Sequence, residues 1–102
     1  MNFSTHIEGP IGTVTLQGRF TFESHQAFKA ATSHLLDAPG LTQITLDLSG
    51  VSYMDSSSLG MVLLLREKAD AKGIRIVLGQ PSPSVQAVLN VVHFGKIFQI
   101  EA

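Results

Sequence analysis

The sequence predicts an α/β domain of 102 residues, built as a mixed sheet of four to five strands with three to four helices packed on it. Three observations predict it. Short β-rich runs alternate with amphipathic helical stretches in the order β-β-α-β-α-β-α-β. The strand–helix–strand units are of a length that favours right-handed crossovers and parallel neighbours. No internal repeat, linker or low-complexity tract interrupts the chain, and 102 residues suit one core spanning 1–102.

The elements follow in chain order. Ile11 to Leu16 ("IGTVTL") alternates as a strand, and Phe3 to Ile7 can pair with it across Gly9 and Pro10. Gly18 is expected to end that strand. A helix is expected from about Glu23 to Leu36, with Phe28, Ala31 and Leu35 on one face and Asp37-Ala38-Pro39-Gly40 as its stop. Thr42 to Leu48 ("TQITLDL") is the next strand, with Ile44, Leu46 and Leu48 on one side and Thr45 and Asp47 on the other. A loop, Ser49 to Met54, then leads to a helix running to about Lys72, with Gly73 placed for a left-handed cap. Its first half, Leu59 to Leu65, is apolar nearly all round and is expected to pack deep. Its second half is charged and is expected to reach solvent. Ile74 to Leu78 is a third clear strand. "QPSPSVQAVLNVV" supplies a third helix, with Ser82 as its cap, Pro83 in its first turn and Val85, Val88, Leu89 and Val92 as its buried stripe. A short strand, Ile97 to Ile100, closes the chain.

Composition narrows the function classes. The chain is 44% apolar and 15% charged with a net charge of −1, which is globular. Its seven Lys and Arg are scattered, so nucleic acid is not the expected partner. There is no cysteine, hence no disulfide framework and no thiolate zinc site. "MNFSTHIEGP" lacks the pattern of a signal peptide, and the longest apolar run, Met61 to Leu65, is too short for membrane insertion. A cytoplasmic protein is expected. His6, His25, His34 and His93 show no metal-ligand spacing, and neither a G-x-x-x-x-G-K-[ST] nor a G-x-G-x-x-G loop occurs, so no cofactor is expected.

The stretch that carries chemistry is "YMDSSSLGMVLLLRE", residues 53–67. Asp55, Ser56, Ser57 and Ser58 fall at the carboxyl end of a strand and the mouth of a helix, the usual functional edge of an open sheet. The first helical turn has unpaired N–H groups and a partial positive charge. Ser and Asp satisfy those donors, so capping alone explains the residue types. The same N–H groups would also stabilise a phosphate, which brings about −1.5 to −2 charges. A catalytic serine is disfavoured: the G-x-S-x-G elbow is absent and no histidine spacing points to the motif. Asp47 either caps a neighbouring loop, faces solvent or helps shape the serine edge. Met54 and Met61 flank the serines as core filler or as soft contacts of a docking surface.

"LDLSGVSYMDSSSLGMVLLLRE" resembles the core motif of STAS domains, in particular of bacterial anti-sigma factor antagonists. "LQGRF", "KGIRIVL" and "VVHFGKIFQI" are similar to further family segments, so the resemblance covers the whole chain. It implies a single-domain STAS-like fold and a non-enzymatic binding module. Ser57 corresponds to the phosphorylated serine, with Asp55, Ser56, Leu59 and Gly60 as the flanking motif. The partner-binding set implied with it is Thr21, Met54, Asp55, Ser56, Ser57, Ser58, Leu59, Gly60 and Met61. The implied partners are an anti-sigma factor with a serine-kinase fold, bound in the unphosphorylated state to release a sigma factor, and a metal-dependent serine phosphatase that reverses the modification. The alternative is a STAS interaction subunit of another assembly, such as a signalling-enzyme regulator or a lipid-transport or transporter complex. Two positions depart from the pattern. Ser58 stands where many members have glycine and competes with Ser57. Thr21 stands where many have aspartate, which removes a partner-facing charge.

Overall fold

The computed structural model describes residues 1–101 and forms a five-stranded sheet in the order β1-β2-β3-β4-β5. The strands are β1 (Asn2–Glu8), β2 (Ile11–Phe20), β3 (Gln43–Met54), β4 (Arg75–Gly79) and β5 (Gln99–Glu101). The helices are α1 (His25–Leu36), α2 (Ser56–Ala71) and α3 (Pro83–Val91), with 3₁₀ turns at Phe22–Ser24 and Phe94–Lys96. Strands β1 and β2 form an antiparallel hairpin across Gly9, whose φ of 59° gives the turn its left-handed residue. All other neighbours are parallel.

Each crossover steps one strand further in the same direction across the sheet. Right-handed crossovers that all step the same way put their helices on one face. The burial pattern agrees. Val14, Leu16, Ile44, Leu46, Leu48, Ile76 and Leu78 belong to one core cluster with Phe28 and Leu35 of α1, Val62, Leu65 and Ala69 of α2, and Val85 and Leu89 of α3. On the opposite face the row Thr13, Thr45, Val77 runs across three strands, and Val77 is buried yet outside that cluster. At the β1 end, Phe20 stacks on Phe28 with ring centroids 5.0 Å apart, and Phe3 meets Phe20 edge-on at 6.4 Å. These aromatic contacts anchor the end of β2 from which the site is built.

The main correction to the sequence reading lies at residues 49–54. The expected loop is strand: β3 continues to Met54. Strand β2 likewise runs past Gly18 to Phe20, so Arg19 pairs with Tyr53 and Phe20 with Met54. Register shifts between Thr15 and Gln17 and between Gly18 and Arg19 make this pairing fit. Gly18 adopts φ 109°, which glycine alone takes without strain. A Cβ at Gly50 would lie 3.0 Å from the Leu16 carbonyl oxygen, so the close passage of β2 requires glycine there. The glycines that read as chain breaks mark an irregularity inside a continuous pair. Asp55 is therefore delivered by the end of a strand.

Smaller corrections concern the helices. Helix α2 is not buried all round, since Leu63 and Leu64 are 38% and 45% exposed. A 3₁₀ turn precedes α1, which begins at His25. In α3 the buried stripe is Val85 and Leu89, Val88 is half-buried, and Val92 lies exposed at the C-cap. Ser82 holds the N-cap backbone position, but its hydroxyl donates to the Val51 carbonyl at 3.0 Å and accepts no backbone N–H of its own helix. Residues 94–96 form a 3₁₀ turn, and β5 starts only at Gln99. Gly73 takes the expected left-handed conformation, φ 71°, after α2. Among the described residues, no helix is long and apolar enough to cross a membrane.

Candidate functional site

Asp55 joins three segments. Its Oδ1 accepts the Ser58 N–H at 2.8 Å, which caps α2. Its Oδ2 accepts the Phe22 N–H at 3.2 Å, so the same carboxylate holds the turn between β2 and α1. Its own N–H donates to the Phe20 carbonyl at 3.3 Å. A side-chain cap of this kind is worth about 1 kcal/mol. Here it also fixes the position of Phe22 relative to the first turn of α2.

The three serines that follow are not equivalent. Ser58 is fully buried, and its hydroxyl donates to the Asp55 carbonyl at 2.8 Å. Ser56 and Ser57 are exposed on the first turn. The period of the helix separates them. Ser58, Val62, Leu65 and Ala69 form the inward stripe, and residues one and two positions before Ser58 turn away from it. Of the three, Ser56 and Ser57 present their side chains to the surface and Ser58 does not.

Of the other expected partner-binding residues, Gly60 is exposed and Asp55 and Leu59 are half-buried, Leu59 packing partly against the core. Met54 and Met61 are buried, at 4% and 8% exposure. Met54, like Ser58, therefore lies beneath the edge. Met61 forms the floor of a shallow groove that Ser57 borders together with Phe22, His25, Gly60 and Leu64. Thr21 is half-buried, and its N–H lies 3.4 Å from the accepting Ser24 hydroxyl. It lines a neighbouring cleft with Arg19, Tyr53 and Asp55, in which the Arg19 guanidinium sits 4.5 Å from the Tyr53 ring centroid. Asp47 is not part of this edge: it accepts the N–H and hydroxyl of Ser49 at 3.0 and 2.7 Å.

Phe22, His25 and Leu64 are surface residues of the site that sequence reasoning missed. Phe22 is 65% exposed, a large apolar area for a side chain held by a capped turn. The signal for Leu64 was present, because the stripe Ser58-Val62-Leu65-Ala69 leaves residues 63 and 64 on its flank. Phe22 likewise lies off the helical period of Phe28 and Leu35. His25 carried no signal. Among the described residues, no cluster of three His, Asp or Glu groups could hold a metal ion.

Gly60 is informative in a different way. It sits inside α2, and a Cβ built there meets nothing within 4 Å. The domain's own packing does not require glycine at this position, although glycine costs a helix roughly 0.5–1 kcal/mol relative to alanine. Gly60→Ala is therefore expected to raise unfolding free energy by about 0.5–1 kcal/mol in urea titrations. No gain would show that the fold itself needs the glycine.

Comparison with known proteins places this geometry among relatives. The family model described as "Mlab, STAS domain" matches residues 3–100. A STAS-domain containing protein of Pseudomonas aeruginosa (strain UCBPP-PA14) is 39% identical over 88 residues, 86% of this chain and 85% of the relative. The anti-sigma F factor antagonist of Lysinibacillus sphaericus is 29% identical over 82 residues, 80% of this chain and 70% of the relative. The solved structure of the Bacillus cell fate determinant SpoIIAA in its phosphorylated form superposes with a TM-score of 0.75 at 24% identity, covering 99% of this chain and 91% of that one. The mixed sheet with helices layered on one side is therefore that of a known fold.

Proposed function

Because the chain belongs to the STAS domain family, we propose that it is an anti-sigma factor antagonist: a non-enzymatic binding module switched by phosphorylation of Ser57. The observation that carries this reading is the split among the serines. Ser57 is exposed on the first turn of a 16-residue helix and borders an uncovered apolar rim, while Ser58 is sealed in the core. The name of the Lysinibacillus relative and the phosphorylated state of the SpoIIAA structure support it.

The mechanism follows from charge. Unphosphorylated, the edge offers a neutral hydroxyl beside Phe22, Gly60 and Leu64. A neutral hydroxyl is covered by a partner at modest cost, whereas a dianion is covered only against matched donors. The positive end of α2 tolerates the phosphate within the domain itself, so modification acts on docking and leaves the fold intact. The partner is an anti-sigma factor with a serine-kinase fold, which binds the unphosphorylated form, releases its sigma factor and supplies the ATP chemistry. A metal-dependent phosphatase restores the hydroxyl. Thr21 adds no carboxylate of its own to the adjoining cleft, whose acidic groups are Glu23 and Asp55.

The test begins with recovery of the partner by the unphosphorylated protein from its own cells, identified by mass spectrometry. The purified partner is then incubated with ATP and either wild type or Ser57→Ala, and intact masses are compared. One phosphate on wild type and none on the variant is expected. A phosphate retained by Ser57→Ala moves the site elsewhere. Recovery of transporter or lipid-transport subunits without a kinase supports a STAS interaction subunit of another assembly instead.

A further inference from the structure

The groove beside Ser57 does not end at Leu64. It shares His25, Met61 and Leu64 with a narrower, more enclosed groove between α1 and α2, whose walls carry Lys29 and Lys68. That groove in turn shares Lys68 with a shallow depression beside Leu36 and Lys72. The three depressions follow one another along the seam of α1 and α2 as a discontinuous trough, the last two meeting only at Lys68. The 16 residues of α2 make its wall about 24 Å long, enough for a helix of about four turns.

The chemistry of this trough is one-sided. Its floor is apolar, with Phe28, Met61 and Leu65 nearly buried and Leu64 45% exposed. Among the described residues, neither Lys29 nor Lys68 takes part in an ion pair. The acid that borders the trough, Asp37, is already paired with Lys72 at 3.1 Å. An apolar floor between unpaired cations matches an amphipathic helix with acidic flanks.

Resting on the reading of Ser57 given above, we propose that the α1–α2 trough receives an amphipathic helix of the partner, seated on Met61 and Leu64 with its acidic residues at Lys29 and Lys68. The proposal explains how a charge at Ser57 is sensed. Ser57 stands at the mouth of the trough, and a phosphate there repels an acidic helix. It also explains the exposed Gly60 at the same mouth, where the absent Cβ leaves room for a docked backbone.

The test uses backbone amide shifts of the full chain titrated with a synthetic helical peptide about four turns long, with leucines at helical spacing flanked by glutamates. A second peptide carries lysines in place of the glutamates. The acidic peptide is expected to shift amides of Lys29, Met61, Leu64 and Lys68, with affinity falling as salt rises. Lys29→Glu/Lys68→Glu is expected to weaken it about tenfold and to favour the lysine peptide. Equal binding of both peptides to the wild type, or shifts confined to another surface, overturns the proposal. So do concentration-dependent trough shifts without peptide, which would make a second copy the occupant. The assay needs no kinase and is thus independent of the mass test on Ser57→Ala. Unchanged peptide affinity in Ser57→Asp, with the shifts still in the trough, upholds the trough and removes the switch.

Discussion

Ser58→Asp is expected to lower the unfolding free energy by roughly 3–5 kcal/mol, whereas Ser57→Asp leaves it within about 1 kcal/mol of wild type. The two positions are adjacent in sequence and differ only in the direction the helix turns them. Ser58 is fully buried with its hydroxyl on the Asp55 carbonyl. A carboxylate there loses its hydration and faces a carbonyl oxygen, which cannot donate to it. Beside it lies the Asp55 carboxylate, whose Oδ1 already accepts the Ser58 N–H. At residue 57 the new carboxylate stays in solvent at the positive end of α2, where such a charge is favourable by a few tenths to 1 kcal/mol. Urea titrations of both variants make the comparison. Equal loss of stability at the two positions would mean that Ser57 is not a free surface hydroxyl.

Conversion of Ser57 to a charged group is expected to weaken partner binding by about 5- to 150-fold, a coupling of roughly 1–3 kcal/mol. Two costs add in the same direction. The dianion must be dehydrated if the partner covers the rim of Phe22, Gly60 and Leu64. It also repels any acidic group that approaches the trough beyond. The lower end of the range applies to Ser57→Asp, which carries one charge and a planar group, and the upper end to phosphoserine, with more charge and three acceptor oxygens. Because the cap of α2 is unaffected and the charge sits at its positive end, the loss should appear in affinity with no fall in the urea midpoint.

The architecture was legible because hydrophobic period alone separates these elements. Ile44, Leu46 and Leu48 alternate and are all buried, and Val85 and Leu89 repeat at helical spacing. The segment 49–54 misled for a physical reason. Ser49, Gly50 and Ser52 resemble a turn, and only the long-range pairing of β3 with the irregular end of β2 makes them strand. Composition similarly overstated the burial of α2, since a run of leucines says nothing about which side of the helix each one occupies. Leu63 and Leu64 fall on the flank that no neighbouring element covers.

At the site, the cap by Asp55 and the special place of the serine triplet followed from the sequence. The resemblance pointed to Ser57, but the burial of Ser58 shows only once α2 is packed on the sheet, because an apolar run leaves its inward side open. The trough was invisible for the same reason. Lys29 and Lys68 lie in different helices and become opposite walls only once the parallel crossovers set α1 beside α2. Phe22 escaped notice because its outward position is held by a hydrogen bond from its N–H to Asp55, 33 residues away.

The central claim is that a charge written on Ser57 is read by a second protein without the domain refolding. Calorimetric titration of the recovered partner into the same protein, before and after stoichiometric phosphorylation at Ser57, measures it directly. The account predicts an affinity at least about fivefold weaker after modification. Equal affinity for the two forms would contradict it.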